Sequence, residues 1–228
     1  MYKLGSLHIS NPVGAKHTAT VIFFHGSGSS GELMKEWVRL MVKNFTFPHI
    51  KVMYPTAPTQ SYTAAGGQMS NVWFDRLSVS PDVPEHLDSI AKIEVEVKKI
   101  IKEENDAGIP SNRIIVGGFS MGGSLTFHTV YRWDHNIAGG FVFGSFLNKN
   151  SIVYEEIKNS SGRLPPLLQI HGDKDDMVDV NWAEDTFKQL ENLGVHGEFH
   201  VMPSLGHSIN RKGMELIKQW IEKLLPSV

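Results

Sequence analysis

The feature of this sequence that most constrains its fold is a regular alternation of short apolar segments with helical patterns. The apolar segments are rich in β-branched and aromatic residues and lie at 19–24, 50–54, 113–119, 138–143, 167–171 and 198–202. Apolar residues at helical spacing occupy most of the intervening segments, at 32–44, 87–105, 121–133, 181–193 and 213–225. This alternation is typical of a mostly parallel sheet with helices on both faces. The sequence therefore predicts an α/β fold.

The length and internal organisation of the chain indicate one domain. The chain has 228 residues, which suits one domain of ordinary size. No repeat, low-complexity segment or linker interrupts it, so we expect a single domain over 1–228 without a separate lid domain. The longest segment without a period is 56–86, and a loop of this length is usually functional or disordered. Its Val72-Trp73-Phe74 sequence favours order.

Composition excludes several classes of protein. The net charge is −2 and the Lys and Arg residues are scattered, so no nucleic-acid partner is expected. The absence of cysteine excludes a disulfide framework and a cysteine nucleophile. No segment approaches the roughly 18 consecutive apolar residues of a membrane span, and the first residues lack a signal-peptide pattern. We therefore expect a cytoplasmic protein without integral membrane association.

The strongest chemical motif is Gly118-Phe119-Ser120-Met121-Gly122, which lies between a predicted strand and a predicted helix. A tight strand-to-helix turn exposes the serine hydroxyl at the edge of the sheet, and its crowding favours glycine on either side. In this context the pattern is typical of the nucleophile of an α/β-hydrolase fold. A glycine-rich turn with an incidental serine would match the same letters. The N–H of Met121, at the start of the helix, is expected to stabilise an oxyanion.

A catalytic base and its acid are expected at the ends of later strands, because the chain order in this fold is serine, acid, histidine. His207 follows the 198–202 strand and lies just before the last helix, which is the place required of the base. The acid should follow the 167–171 strand. Position alone does not rank its candidates, which are Asp173, Asp175 and Asp176, with Asp179 as a fourth.

The glycine-rich segment 26–31 allows a competing interpretation. Its letters match GxGxxG between a strand and a helix, as in a dinucleotide-binding protein. That fold also needs an acidic residue at the end of the second strand, where this chain has only Met53-Tyr54-Pro55. The competing interpretation also leaves Ser120 and His207 unexplained. In a hydrolase, the N–H of Ser27 in this loop would instead be the second oxyanion donor.

Six short segments together match one family: FFHGSGSSG (23–31), YPTAP (54–58), NVWFDR (71–76), GGFSMGG (117–123), SFLNK (145–149) and HGDKDDMV (171–178). Through them the chain resembles acyl-protein thioesterases and lysophospholipase-like carboxylesterases over nearly its whole length. The set is far more specific than the serine motif alone.

The resemblance implies a role for particular residues. In the family's HGxxD motif the fifth position is the acid of the triad, which here is Asp175, and the family's late histidine falls on His207. Its oxyanion donors fall on the backbone N–H groups of Ser27 and Met121. The main branch of the family usually has Leu and Gln at these two positions. The mechanism needs only backbone atoms there, but the long-chain preference of the main branch does not carry over with these departures.

These features predict a serine hydrolase that cleaves a small ester or an acylated protein through an acyl-enzyme, with no cofactor and no metal ion. We expect an open site that favours short acyl chains, in a monomer or weak homodimer. Trp73 and Phe74 are expected either to wall an acyl pocket or to pack in the core. The alternative functions are a long-chain palmitoyl-protein thioesterase or a lysophospholipase. A non-catalytic binding module is a remote alternative, because all three members of the triad are retained.

Overall fold

The elements of the fold follow the predicted alternation. The computed structural model describes residues 3–14, 16–43 and 45–227. Within these residues there are nine strands: β1 (Leu7–Ser10), β2 (Ala19–Phe24), β3 (Ile50–Pro55), β4 (Thr59–Tyr62), β5 (Gln68–Asn71), β6 (Ile114–Phe119), β7 (Gly139–Phe143), β8 (Leu167–Gly172) and β9 (Gly197–Met202). The same described residues form six α-helices: α1 (Gly31–Met41), α2 (Leu87–Asp106), α3 (Met121–His128), α4 (Ile152–Asn159), α5 (Val180–Asn192) and α6 (Arg211–Leu224).

Seven strands form the central sheet, in the order β1-β3-β2-β6-β7-β8-β9. The β1–β3 pair is antiparallel and all the other neighbouring pairs are parallel. The chain adds β3 on one side of β2 and later adds β6 on the other side. In open parallel sheets, ligands bind beyond the carboxyl ends of the strands at such a switch point. The topology therefore places the expected site where β2 and β6 end.

Both faces of the sheet are covered by helices, because its central strands are apolar on both sides. All six residues of β2 are buried. Ile22 and Phe24 pack into an apolar cluster with side chains of α2, α3, α4 and α5. Val21 and Phe23 point the other way, into a second cluster with side chains of α1 and α6. The predicted mostly parallel sheet between two helical layers is thus confirmed.

Some helix ends differ from the sequence prediction. The helix predicted over 121–133 ends as α3 at His128, and the chain continues as a π-helical turn over Thr129–Trp133. The helix predicted over 32–44 ends at Met41, because the next residue adopts an extended backbone, and Asn44 lies outside the described residues. The last helix begins before the predicted residue 213, because the Asn210 side chain accepts a hydrogen bond from the Gly213 N–H and caps it.

Three short features escaped the sequence prediction, namely β1, α4 and a hairpin within the 56–86 segment. The hairpin pairs β4 with β5 in antiparallel register. Gly66 and Gly67, both with positive φ, help to reverse the chain. The hairpin strands are four residues long and mostly exposed, so they lack the apolar alternation that would have revealed them. Gly28 N–H donates to Asn71 O at 2.9 Å, so the hairpin holds the glycine-rich loop.

Candidate active site

Ser120 lies on the sharp turn between β6 and α3. Its backbone has φ 53° and ψ −123°, a conformation that residues with a side chain rarely adopt. A Cβ atom on Gly118 would lie 2.2 Å from the carbonyl carbon of Gly122, and one on Gly122 would lie 2.4 Å from Phe24 O. The two glycines therefore allow the strand, the turn and the helix to approach closely enough to strain the serine. The strained turn holds its hydroxyl at the sheet edge.

The serine, the histidine and one carboxylate form a continuous hydrogen-bonded chain. Ser120 Oγ lies 2.9 Å from His207 Nε2. On the other side of the ring, His207 Nδ1 lies 2.7 Å from Asp175 Oδ2. We assign the proton to Nδ1, because a carboxylate can only accept, and this leaves Nε2 free to accept from the serine. The ring of Phe119 packs against the imidazole at 4.8 Å between centroids.

The structure distinguishes the four aspartates that position alone left unranked. Asp175 alone contacts the histidine, and its other oxygen, Oδ1, accepts the N–H groups of Met177 and Val178 at 3.0 and 2.8 Å. Each of the other three lies elsewhere: Asp173 accepts the Ser204 N–H at 2.6 Å, Asp179 caps α5, and Asp176 is exposed. Asp173 thereby fastens the loop that leads to His207.

The surroundings of Asp175 keep it ionised. Burial raises its pKa, but hydrogen bonds from His171, His207 and the Val178 N–H lower it by more, so the pKa lies well below its usual range. His171 is fully buried behind the carboxylate, with Nε2 at 3.3 Å from Asp175 Oδ2 and at 2.8 Å from Val178 O. The negative charge is therefore present throughout the neutral pH range to orient the imidazole and to stabilise its protonated form.

The oxyanion donors expected from the sequence lie at the ends of β2 and β6. Met121 is the first residue of α3, so its N–H has no partner one turn earlier within the helix. Neither this N–H nor that of Ser27 donates to an acceptor among the residues that the structure describes. Ser27 and Ser120 line the same cavity. Two backbone N–H groups without an acceptor among the described residues therefore lie close to Ser120 in the chain or in its cavity.

The sequence analysis did not single out His25, which anchors the glycine-rich loop. Its Nδ1 donates to Gly26 O at 2.6 Å and its Nε2 accepts the Ala57 N–H at 3.0 Å. Trp73 Nε1 donates to the backbone oxygen of His25 at 2.7 Å, and the two rings lie 4.7 Å apart. Burial lowers the pKa of His25 to about 4. The ring must be neutral to accept the Ala57 N–H. Protonation of His25 would therefore remove this hydrogen bond and destabilise the loop.

We expect protonation of His25 to lower the free energy of unfolding by about 2 kcal/mol between pH 7.5 and pH 5. The unfolded chain binds this proton near pH 6.5, whereas the folded protein excludes it until about pH 4. The stabilisation that neutral His25 gives to the folded protein is therefore complete above pH 6.5 and is lost as the pH falls towards 4. Urea unfolding of wild type and His25→Asn at both pH values tests this, because every other ionisable side chain is common to the two proteins. The same pH dependence in the two proteins would contradict the assignment.

The triad opens into a cavity of about 390 Å³, which is at the small end for ligand sites. Its walls include Ser27, Trp37, Arg76, Phe146 and His207. A groove of about 570 Å³ beside α1 is larger but contains no member of the triad. The small cavity at the end of β6 is therefore the candidate substrate site.

Trp73 and Phe74 do not line this cavity, and the structure places both in the core. Trp73 has no exposed surface, and its indole N–H is hydrogen-bonded to the backbone oxygen of His25 beneath the glycine-rich loop. Phe74 packs against His128, with ring centroids 6.3 Å apart. Arg76, two residues further on, lies in the cavity wall instead. Nothing in the local sequence pattern had distinguished it from a solvated cation.

Two other kinds of site are absent from the residues that the structure describes. No group of three His, Cys, Asp or Glu side chains there is arranged to hold a metal ion. Over residues 3–14, 16–43 and 45–227, no helix has an apolar stretch long enough to cross a membrane.

Comparison with known proteins supports what the geometry suggests. The model of the phospholipase/carboxylesterase family matches residues 6–225. Lysophospholipase-like protein 1 of Mus musculus is 44% identical over 219 residues, which are 96% of this chain and 91% of that protein. Acyl-protein thioesterase 1 homolog 1 of Dictyostelium discoideum is 34% identical over 214 residues, 92% of each chain.

Solved structures agree in fold and extent. The crystal structure of Zea mays acyl-protein thioesterase 2 is 25% identical, with a TM-score of 0.85 over 97% of this chain and 99% of that chain. Arabidopsis thaliana SOBER1 is 27% identical, with a TM-score of 0.78 over 91% and 99% of the two chains. This chain therefore belongs to the phospholipase/carboxylesterase family of α/β-hydrolases, and it is a hydrolase that acts on ester bonds.

Proposed function

We propose that Ser120 is the nucleophile, His207 the general base and Asp175 the orienting acid of a serine esterase that forms an acyl-enzyme. The observation that carries this proposal is the hydrogen-bonded chain of 2.9 Å from Ser120 to His207 and 2.7 Å from His207 to Asp175. Serine is a weak nucleophile at neutral pH, and a base within hydrogen-bond reach, itself oriented by a third group, makes it reactive.

The proposed reaction has two steps that use the same groups. His207 Nε2 takes the hydroxyl proton while Ser120 Oγ attacks the acyl carbonyl, and the resulting oxyanion accepts the N–H groups of Ser27 and Met121. The imidazolium, held by Asp175, then protonates the departing alcohol or thiol. Water attacks the acyl-enzyme in the second step, with His207 again the base. The cycle balances its protons without a cofactor, so we propose that none is used.

A fluorophosphonate probe tests this function directly. We expect it to label the protein once, and we expect the added mass on the peptide that contains Ser120. Ser120 Oγ would attack the phosphorus and displace fluoride, as it would attack an acyl carbonyl, so labelling reports an activated serine. Prior incubation with an ester substrate should slow the labelling. An unlabelled protein, or an adduct only on another residue, would exclude the proposed nucleophile.

We further propose that the enzyme favours short acyl chains. The cavity is small, and a guanidinium lies in its wall, which disfavours the passage of a long apolar chain. A series of p-nitrophenyl esters from C2 to C16 should therefore give its highest kcat/KM at a short chain. A maximum at C16 would reject the proposal and favour the long-chain thioesterase or lysophospholipase alternative.

The proposals on leaving group, domain number, location and oligomeric state rest on the resemblance to the family and on the amino-acid sequence. Two relatives bear acyl-protein thioesterase names, so we propose that thioesters as well as oxygen esters are substrates. Rates for one acyl chain on an alcohol and on a thiol leaving group would compare the two. We also propose one domain over 1–228, a cytoplasmic location, and a monomer or weak homodimer.

A further inference from the structure

Arg76 brings a positive charge into the wall of the catalytic cavity. Its guanidinium lies 5.2 Å from the ring centroid of Phe74 and 5.6 Å from that of Phe146. Its Nη2 donates to Ser124 Oγ at 3.2 Å. The two rings and the hydroxyl fix the direction of the guanidinium plane. The charge therefore has a defined position relative to the catalytic residues.

No carboxylate of the described residues forms a direct ion pair with this cation. The charge of Glu85 acts on it from beyond ion-pair distance, and the oxygens of Glu85 face His128 at 3.2 Å and accept the Ile152 N–H at 3.1 Å. Burial lowers the pKa of Arg76, although an arginine remains protonated in proteins. A desolvated charge that lacks a partner is costly, and proteins usually pair it. The guanidinium therefore offers binding energy to an anion from outside the chain.

The unused donors of Arg76 face the cavity. A guanidinium has five N–H groups, and one hydrogen bond to a side chain engages them among the residues that the structure describes. Within the described residues, no nitrogen of the Arg76 side chain is both enclosed and without a partner. The N–H groups that lack an acceptor therefore reach open space, and Arg76 lines the same cavity as Ser120 and His207.

The distance from the nucleophile suits a group on the substrate. Ser124 lies in the first turn of α3, and its N–H donates to the oxygen of Ser120, the N-cap residue, at 3.2 Å, so the two residues are about one helical turn, or roughly 5.4 Å, apart along the axis. Because Arg76 is bonded to Ser124, its guanidinium lies near that turn. A negatively charged group a few bonds from the reacting carbonyl could reach it while the carbonyl meets Ser120.

We propose that Arg76 binds a carboxylate or phosphate oxyanion carried by the substrate, so that the enzyme prefers esters with such a group to neutral esters of equal size. The planar fork of arginine matches both groups, and charge-assisted hydrogen bonds are the strong ones. This inference rests on the proposed function and adds a specificity-determining residue to it.

Two matched pairs of substrates test the proposal and distinguish the side of the ester that carries the charge. The monoethyl ester of glutaric acid and ethyl pentanoate differ by a carboxylate on the acyl chain. Butanoylglycerol phosphate and butanoylglycerol differ by a phosphate on the alcohol. For each pair, the ratio of kcat/KM for the charged ester to that for the neutral ester is measured in wild type, Arg76→Lys and Arg76→Gln. A ratio cancels any loss of folded protein.

We expect the ratio for at least one pair to fall about ten- to hundredfold in Arg76→Gln, with Arg76→Lys in between. The pair that responds tells whether the acyl or the alcohol group carries the anion. A change below about threefold in both pairs overturns the inference, while hydrolysis of the neutral esters by wild type would leave the proposed function intact. If Arg76→Gln does not fold, the ratios measured in wild type test the inference. Faster hydrolysis of the neutral ester in both pairs overturns it. Faster hydrolysis of a charged ester supports it.

Discussion

Replacement of Ser120 by alanine is expected to lower kcat by about 10⁶-fold, the scale on which loss of a triad nucleophile acts in serine hydrolases. The variant has no atom to form the acyl-enzyme, and His207 then has only water to activate. Alanine keeps a Cβ at the strained backbone position, so the turn and its glycine contacts are retained. The loss should appear in steady-state hydrolysis of a short-chain ester.

Ser29→Ala is the matched control for this variant. Ser29 lines the same cavity, and its hydroxyl makes no hydrogen bond to the described residues. We expect its kcat to stay within about threefold of wild type, because the substitution breaks no hydrogen bond and changes no buried side chain. A Ser120→Ala variant with a tenth or more of the wild-type rate would remove the nucleophile assignment. Near-ultraviolet circular dichroism establishes that both variants are folded.

The change Asp175→Asn is expected to lower kcat by about 10⁴-fold while the fold is preserved. The amide that replaces the carboxylate offers a donor towards His207 Nδ1, which now donates to Asp175 at 2.7 Å. The imidazole would then favour the tautomer with its proton on Nε2, and this proton would point at Ser120. A histidine in that tautomer cannot accept the hydroxyl proton.

Asp176→Asn is the control in the same loop, because Asp176 is exposed and has no hydrogen bond among the described residues. We expect its kcat to be unchanged within about threefold. A large loss in this control, or nearly full activity in Asp175→Asn, would mean that the acid was misassigned. Fluorophosphonate labelling rates give a second readout, because they depend on activation of the serine and not on release of product.

The structure assigns separate tasks to two histidines near the site. In the proposed reaction His207 exchanges a proton in each step, and its ring lies between the Ser120 hydroxyl at 2.9 Å and the ionised Asp175 at 2.7 Å. His25 must stay neutral, and burial keeps its pKa near 4. The hydrogen bonds of His25 are all to the main chain. We therefore propose that His207 takes part in the reaction, whereas His25 stabilises the loop that carries Ser27.

The proposed preference for short acyl chains and the proposed anion site at Arg76 have the same physical basis. A guanidinium in the wall of a small cavity repels a long apolar chain and attracts an oxyanion. We therefore expect Arg76→Gln to shift the acyl-length optimum towards longer chains while it lowers the ratio for charged esters. The p-nitrophenyl series measured in both proteins tests the first half of this expectation.

Much of the fold was predictable because it depends on local patterns. The central strands are buried on both faces, so they appear as continuous apolar segments, and the helices repeat their apolar residues every three or four positions. The serine turn was also predictable from local sequence, because only glycine fits two positions before and two positions after Ser120. The short strands β1, β4 and β5 were missed because half-exposed segments of four residues carry too little pattern.

Local sequence patterns were enough to predict the order of the main strands and helices, the turn that carries the proposed nucleophile, and the histidine that follows the last strand. The choice of Asp175 among its neighbours needed family resemblance, since adjacent loop residues differ only in where the backbone points them. The tertiary structure alone decided that Trp73 and Phe74 pack in the core and that Arg76 lines the cavity. The physical reason is that the direction of a loop side chain depends on residues that are distant in sequence. The loop after the hairpin returns over α3, and there the Arg76 side chain contacts Ser124 and Phe146.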